Sequence, residues 1–288
     1  MAILLALCSS LAYGLSDFVG GLVSRRTSPW PVATLGQLSS TACVLVVALT
    51  VHGDPTRSDF LWAALAGVGS GLGTGFLYRG LASGRMGVVS PISAVGAAVV
   101  PVLAGALGGE RVSLVVWLGI LCALPGIWLV ASTPEDDISR SEDPLRSRAR
   151  ATFAEGVADG VLSGLGFGLL FAALGQVPAS AGLLPLALAQ AVSVPAVIAL
   201  AMALRAPWVP RGRPVRWALL TGPLGGAATL SFLLATHRGY LTVAGVLAAL
   251  YPASTVLLAA SFLREHVHRA QGVGLGLCAV AVTLVAVG

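Results

Sequence analysis

Lysine is missing from this chain altogether, and charge of either sign is scarce: 17 arginines and 12 carboxylates make up 10% of 288 residues. Globular chains carry about 25% charged residues, so a water-facing surface for a domain of this size cannot be built from them. The net charge of +5 comes from scattered loop arginines, which excludes a continuous basic face and with it nucleic acid as a partner. Cysteine is too sparse for a disulfide framework. Cys8, Cys43, Cys122 and Cys278 all fall in apolar stretches, where a thiol acts as a small hydrophobe. The usual catalytic signatures are lacking too: there is no HExxH pair, P-loop or GxSxG elbow. Glu265, His266 and His268 crowd one short segment and make a poor tetrahedral metal set. No catalytic residue, metal or cofactor is expected, and the chain is not read as an enzyme. What is abundant is apolar: 56% hydrophobic side chains and a mean hydropathy of +0.90 assign the chain to a bilayer.

A helix crossing a hydrocarbon core needs about 20 mostly apolar residues. Ten such stretches occur, from Ile3 to Val23, Pro31 to Val51, Phe60 to Tyr78, Met86 to Gly108, Leu114 to Ala131, Gly156 to Gly175, Ser180 to Leu204, Trp217 to Thr236, Leu241 to Leu263 and Ala270 to Val287. Nothing charged precedes the first, and Arg25 and Arg26 follow it, so it is read as a retained helix and not a secretory signal. Connections are short except for a charged linker over residues 133–151.

Displacing the sequence by 155 residues lays Trp62 on Trp217, Gly67 on Gly222, Gly71 on Gly226, Thr74 on Thr229, Glu110 on Glu265 and Gly119 on Gly274. A displacement of 154 matches Tyr13-Gly14-Leu15 to Phe167-Gly168-Leu169. Residues 1–132 and 152–288 are therefore read as two repeats of five helices. Five is odd, so the second copy starts on the opposite side of the membrane and the repeats are inverted, as in many secondary transporters. The predicted fold is an all-α membrane protein of ten transmembrane helices in two inverted five-helix repeats. Odd-numbered loops hold 14 arginines and even-numbered loops only Arg57, Arg111 and Arg238. By the positive-inside rule the linker is cytoplasmic and both termini are extracytoplasmic.

The ends of the fourth and ninth segments, Gly108-Gly109-Glu110-Arg111-Val112 and Leu263-Arg264-Glu265-His266-Val267, are each followed nine residues after the glutamate by a glycine of the next helix. Together with the opening Leu11-Ala12-Tyr13-Gly14-Leu15-Ser16-Asp17-Phe18, they resemble the EamA-type transporters of the drug/metabolite transporter superfamily. The resemblance spans essentially the whole chain. It implies a plasma-membrane (inner-membrane) carrier of small organic metabolites such as amino acids or related compounds, often an exporter, with a central cavity. It also implies cytoplasmic termini, against which the arginine count argues. The alternatives are an intramembrane enzyme acting on lipid-linked substrates and a non-transporting scaffold. The expected partners are a small-molecule substrate and membrane lipids, with the chain as monomer or homodimer.

An ionisable side chain inside a membrane helix costs roughly 2.5–3.5 kcal/mol on insertion scales, which singles out Asp17. It is read as a proton-coupling or substrate-amine site, against a snorkelling carboxylate paired with Arg79. Gln37 and Gln190 hold matching places in the second and seventh segments, as do Thr74 and Thr229 in the third and eighth. Such pairs suit a substrate held between the halves, or interhelical hydrogen bonds. Tyr13, Phe167, Tyr240 and Tyr251 offer aromatic faces for a pocket, and Ser90 and Ser93 flank Pro91. The expected substrate-binding set is Tyr13, Asp17, Gln37, Thr74, Ser93, Gln190, Thr229 and Tyr251. Pro252 is expected to interrupt the ninth helix, and Pro91 and Pro101 the fourth. Rows of glycines four apart are read as helix-packing seams, Glu110 and Glu265 as partners of the helix that follows each, and Glu155 and Asp159 as solvated.

Overall fold

A computed structural model describes residues 1–24, 26–82, 86–131, 145–210, 214–262 and 268–288. Among them all regular structure is helical, and ten spans are long and apolar enough to cross a membrane. In chain order the first repeat supplies α1 (Ala2–Ser24), α2 (Pro29–Ala48), α3 (Arg57–Ala82), α4 (Met86–Leu107) and α5 (Leu114–Ala131). The second supplies α6 (Leu145–Leu174), α7 (Leu184–Ala203), α8 (Thr221–Thr236), α9 (Leu241–Ala248), α10 (Tyr251–Phe262) and α11 (Arg269–Val287). A 3₁₀ stretch, Pro214–Leu220, leads into α8 and completes its span, and α9 with α10 make the ninth. α6 begins at Leu145, within the stretch expected to be linker.

Burial cannot drive helix association among lipid tails, so close backbone approach must, and glycine supplies it here. Gly67 and Gly71 of α3 lie against Ala189 and Ser193 of α7; Gly160, Gly164 and Gly168 of α6 lie along α4; Gly222 and Gly226 of α8 lie on α2. At the α3–α6 crossing Gly69 and Gly73 meet Gly166 backbone to backbone. A side chain at any of these positions would overlap its neighbour. Leu4, Leu45, Leu61, Leu118, Leu162 and Val273 point outward, where lipid tails receive them.

The helix pairs obey the repeat. α3 packs on α6 as α8 packs on α1, and α3 on α7 as α8 on α2; α2 pairs with α7, and α5 with α11, about the centre. Each half therefore contributes helices to the other's core.

The prolines behave unequally. The ninth span breaks after Ala248: the carbonyl there would need a donor from Pro252, which has none, and the chain passes through turns closed by Leu250 N–H to Leu247 O (3.3 Å) and Ala253 N–H to Leu250 O (2.9 Å). The expected interruption of the fourth helix does not occur. α4 runs unbroken through Pro91 and Pro101. Each proline removes one hydrogen bond, and the bond lost at Pro91 is the one to the Gly87 carbonyl, close to the helix start. Gly245 of α9 leaves room for the ring of Pro101.

Glu110 also differs from expectation. It serves α9 of the other repeat and not the helix that follows it: its carboxylate accepts from Leu241 N–H (2.6 Å), Thr242 N–H (2.9 Å) and Thr242 Oγ1 (2.5 Å). Two orphan backbone donors at a helix start, joined by a threonine hydroxyl, favour a carboxylate over any neutral acceptor, and Gly109, at φ +89°, makes the turn that delivers it. Glu265 and His266 lie outside the described residues.

Candidate functional site in the bundle centre

A polar hollow lies where α1, α2, α3, α6, α7 and α8 converge. Helical spacing explains how the sequence builds it. On α1, Tyr13, Ser16 and Asp17 share one face at i, i+3 and i+4. Gln37 and Ser40 do so on α2, Ser70, Thr74 and Tyr78 on α3, and Thr221, Gly225 and Thr229 on α8. Gln190 comes from α7 and Phe167 from α6. Gln37 sits near the middle of its helix, so the hollow is close to mid-bilayer.

The repeat-matched amides and hydroxyls bind one another. Gln37 Nε2 donates to Ser70 Oγ (3.2 Å) and Thr74 Oγ1 (3.0 Å). Gln190 Nε2 donates to Thr229 Oγ1 (3.2 Å) and to Ser40 Oγ. Lining a cavity and tying helices together, posed as alternatives for these residues, are thus combined. Since Ser40 belongs to the first repeat and Gln190 to the second, this bond crosses between halves. Thr229 Oγ1 donates its proton to the Gly225 carbonyl (2.6 Å), Thr221 Oγ1 to Ala218 O (2.7 Å), and Ser16 Oγ to Thr221 O (3.1 Å).

Asp17 lines the hollow, and among the described residues it makes no ion pair. Its expected alternative partner, Arg79, is taken: the guanidinium binds Asp159 of α6 and lies over the Phe76 ring at 4.9 Å. Asp159 is therefore not solvated as expected but 1% exposed. A helix entrance in sequence is an inner surface here, because α6 packs on α3 and α4 at this level.

Six of the eight expected residues line the hollow: Tyr13, Asp17, Gln37, Thr74, Gln190 and Thr229. Ser93 and Tyr251 do not. Ser93, 0% exposed, shares hydrogen bonds with Ser163 Oγ (2.7 Å) and the Tyr251 hydroxyl (3.3 Å), one layer behind the hollow. Tyr251 stands behind the pair it supports, its ring centroid 6.4 Å from Tyr13 and 6.5 Å from Phe167. Tyr240 is 48% exposed at the start of α9 and lies away from the hollow. Sequence reading missed Ser16, Ser40, Ser70, Tyr78 and Thr221. Their only signal is a spacing of three or four from Tyr13, Gln37 and Thr74, or from Gly225, and serines at such spacing are common in membrane helices.

Tyr13 also joins the hollow to an aromatic cluster. Phe171 contacts Tyr13 (5.8 Å between centroids) and stacks on Phe232 (4.5 Å), both phenylalanines being buried.

A family model described as the EamA-like transporter family matches this chain twice, over residues 1–132 and 156–287. The chain belongs to the EamA-like transporter family. It is thereby a multi-pass membrane protein of a transporter superfamily, as its ten spans require. No curated protein matches it. A solved structure titled only "Crystal structure of protein" matches at 16% identity with a TM-score of 0.71, covering 99% of this chain and 96% of that one, which establishes the shared fold.

Proposed function

We propose that this EamA-family protein is a secondary active exporter of small organic metabolites, such as amino acids or related compounds, working by alternating access across the plasma membrane with protons as the driving ion. The observation that carries this reading is a polar hollow at the seam of two repeats, near mid-bilayer, lined by a carboxylate that has no ionic partner among the described residues. Only about 40 Å³ of it is open to the centre of a water-sized sphere. A water needs roughly 10–15 Å³ on that measure, so the hollow admits a few waters and not a metabolite. A solute enters only if the halves part, which is what two packed, pseudosymmetric repeats are suited to do. Outward direction follows the family resemblance, and the repeats proposed to move are residues 1–132 and 152–288.

The test is purified protein in liposomes under an imposed pH gradient. Accumulation of a solute is expected, and Asp17→Asn is expected to abolish the gradient-driven part. Unchanged gradient-driven uptake by that variant at normal incorporation removes Asp17 from coupling. Turnover of a lipid-linked substrate would make the protein an enzyme instead. For orientation, we propose a cytoplasmic linker and extracytoplasmic termini from the arginine distribution. A cysteine placed at Ser139 should resist an impermeant thiol reagent in intact cells, and labelling from outside reverses the assignment.

A further inference from the structure

The walls of the hollow carry one ionisable carboxylate, Asp17, and among the described lining residues no arginine or histidine. An ion buried at low dielectric is tolerated only against a counter-charge. A monocation entering here makes a neutral pair with Asp17, whereas an anion puts like charges together. Hydrogen bonding adds a second acceptor beside that carboxylate. The Thr229 hydroxyl has spent its proton on the Gly225 carbonyl, so the side of the Gln190 amide facing it must be the NH₂, which also serves Ser40. The Gln190 oxygen is left over, and among the described residues it takes no hydrogen bond, on a side chain 2% exposed that lines the hollow. Thr221 and Ser16 have likewise committed their protons to backbone carbonyls. Ser40, Ser70 and Thr74 accept from the two amides and keep their own hydroxyl protons for a guest, so the hollow offers donors as well as acceptors and it is Asp17 that sets the sign of the charge it takes. The Tyr13 hydroxyl, buried beside Thr229, makes no close hydrogen bond among the described residues and can meet a further polar group on the guest.

From this chemistry we infer that the hollow selects small solutes bearing a protonated amine or guanidinium, with Asp17 as counter-ion and the Gln190 oxygen as a second acceptor, and rejects those whose only charge is a carboxylate or phosphate. The inference rests on the carrier reading and narrows its substrate class. An amino acid satisfies the site with its ammonium but brings a carboxylate that no cationic side chain among the described lining residues balances, so it ranks between the amine and the acid.

Matched probes test the order: 2-phenylethylamine, phenylalanine and 3-phenylpropionate, with butylamine against butyrate for size. Calorimetric titration of the full-length protein in detergent is expected to give at least tenfold tighter binding of each amine than of its matched acid. Asp17→Asn should erase that preference, and Gln190→Leu should weaken amine binding several-fold without favouring the acid. Equal or tighter binding of the acids to the unmodified protein overturns the inference whether or not either variant folds. Counterflow exchange in liposomes separates the two failures. Exchange of acids without amines sinks this inference and leaves a carrier standing; exchange of none of the probes counts against both.

Discussion

Around the hollow, α1 of the first repeat presents Tyr13, Ser16 and Asp17, where its counterpart α6 carries Phe167, Leu170 and Phe171. On the next helix pair, Ser70 and Tyr78 of α3 correspond to Gly225 and Leu233 of α8. Even the ion pair is one-sided: the positions equivalent to Arg79 and Asp159 are Leu234 and Leu5. What the repeats keep in common is the Gln and Thr set that ties helices together and the glycines that let them touch. Duplication therefore preserved the frame, and divergence put the hollow's carboxylate and both tyrosines that line it in one copy. A carrier of this build needs symmetry to move and asymmetry to be selective.

Exchanging residues between the halves probes that contrast most directly. The largest effect is expected from Phe171→Asp, which gives the second repeat the carboxylate of the first. Phe171 is buried against Phe232, so the variant loses an aromatic side chain, worth about 3–5 kcal/mol, and gains an unpaired carboxylate. Loss of monodisperse protein on size exclusion is the expected outcome, and a folded variant with a normal melting temperature would show that this aromatic cluster is looser than its packing indicates.

The ion pair comes next. Arg79→Leu removes the guanidinium from buried Asp159, at an expected cost of about 2–3 kcal/mol, while Asp159→Leu leaves an arginine one-third exposed and is cheaper. Replacing both by leucine, the solution found in the other half, should bring stability back to within about 1 kcal/mol of the parent. A thermal-unfolding double-mutant cycle measures this, and equal costs for the two single changes would contradict it.

Smaller still is the difference between the glutamines. Gln190→Leu should cost about 1–2 kcal/mol and Gln37→Leu about half that, because Gln190 joins α7 to both α2 and α8 while Gln37 reaches α3 alone. Melting temperatures in one detergent give the ranking. The least effect is expected from Gly225→Ser, which restores the serine of the first half. A Cβ there meets nothing nearer than Ser16 Oγ at 3.8 Å, so stability should stay within about 0.5 kcal/mol. A fall larger than that would mean Gly225 itself needs closer contact.

The parts legible in sequence were those set by averages over many residues. Hydropathy over twenty positions needs no tertiary information to mark a span, and widely spaced tryptophan, glutamate and glycine matches survive any local error. The matched glutamines and threonines were legible for the same reason. Ser93 and Tyr251 misled because a hydroxyl beside a proline has the same sequence whether it faces a cavity or a neighbouring serine. Asp159 misled because the edge of an apolar run does not say where water begins. Glu110 lay beside one helix in the chain and another in space.

The sequence by itself determined that this protein is a doubled set of five membrane helices, because lipid admits no other backbone for runs so apolar. Which polar atoms face each other was decided only by tertiary structure. Glycine seams bring α1, α2 and α3 against α6, α7 and α8 across a distance of some 150 residues, and a hydrogen bond requires both partners to arrive at about 3 Å with the right atom forward. No property of one position contains that condition.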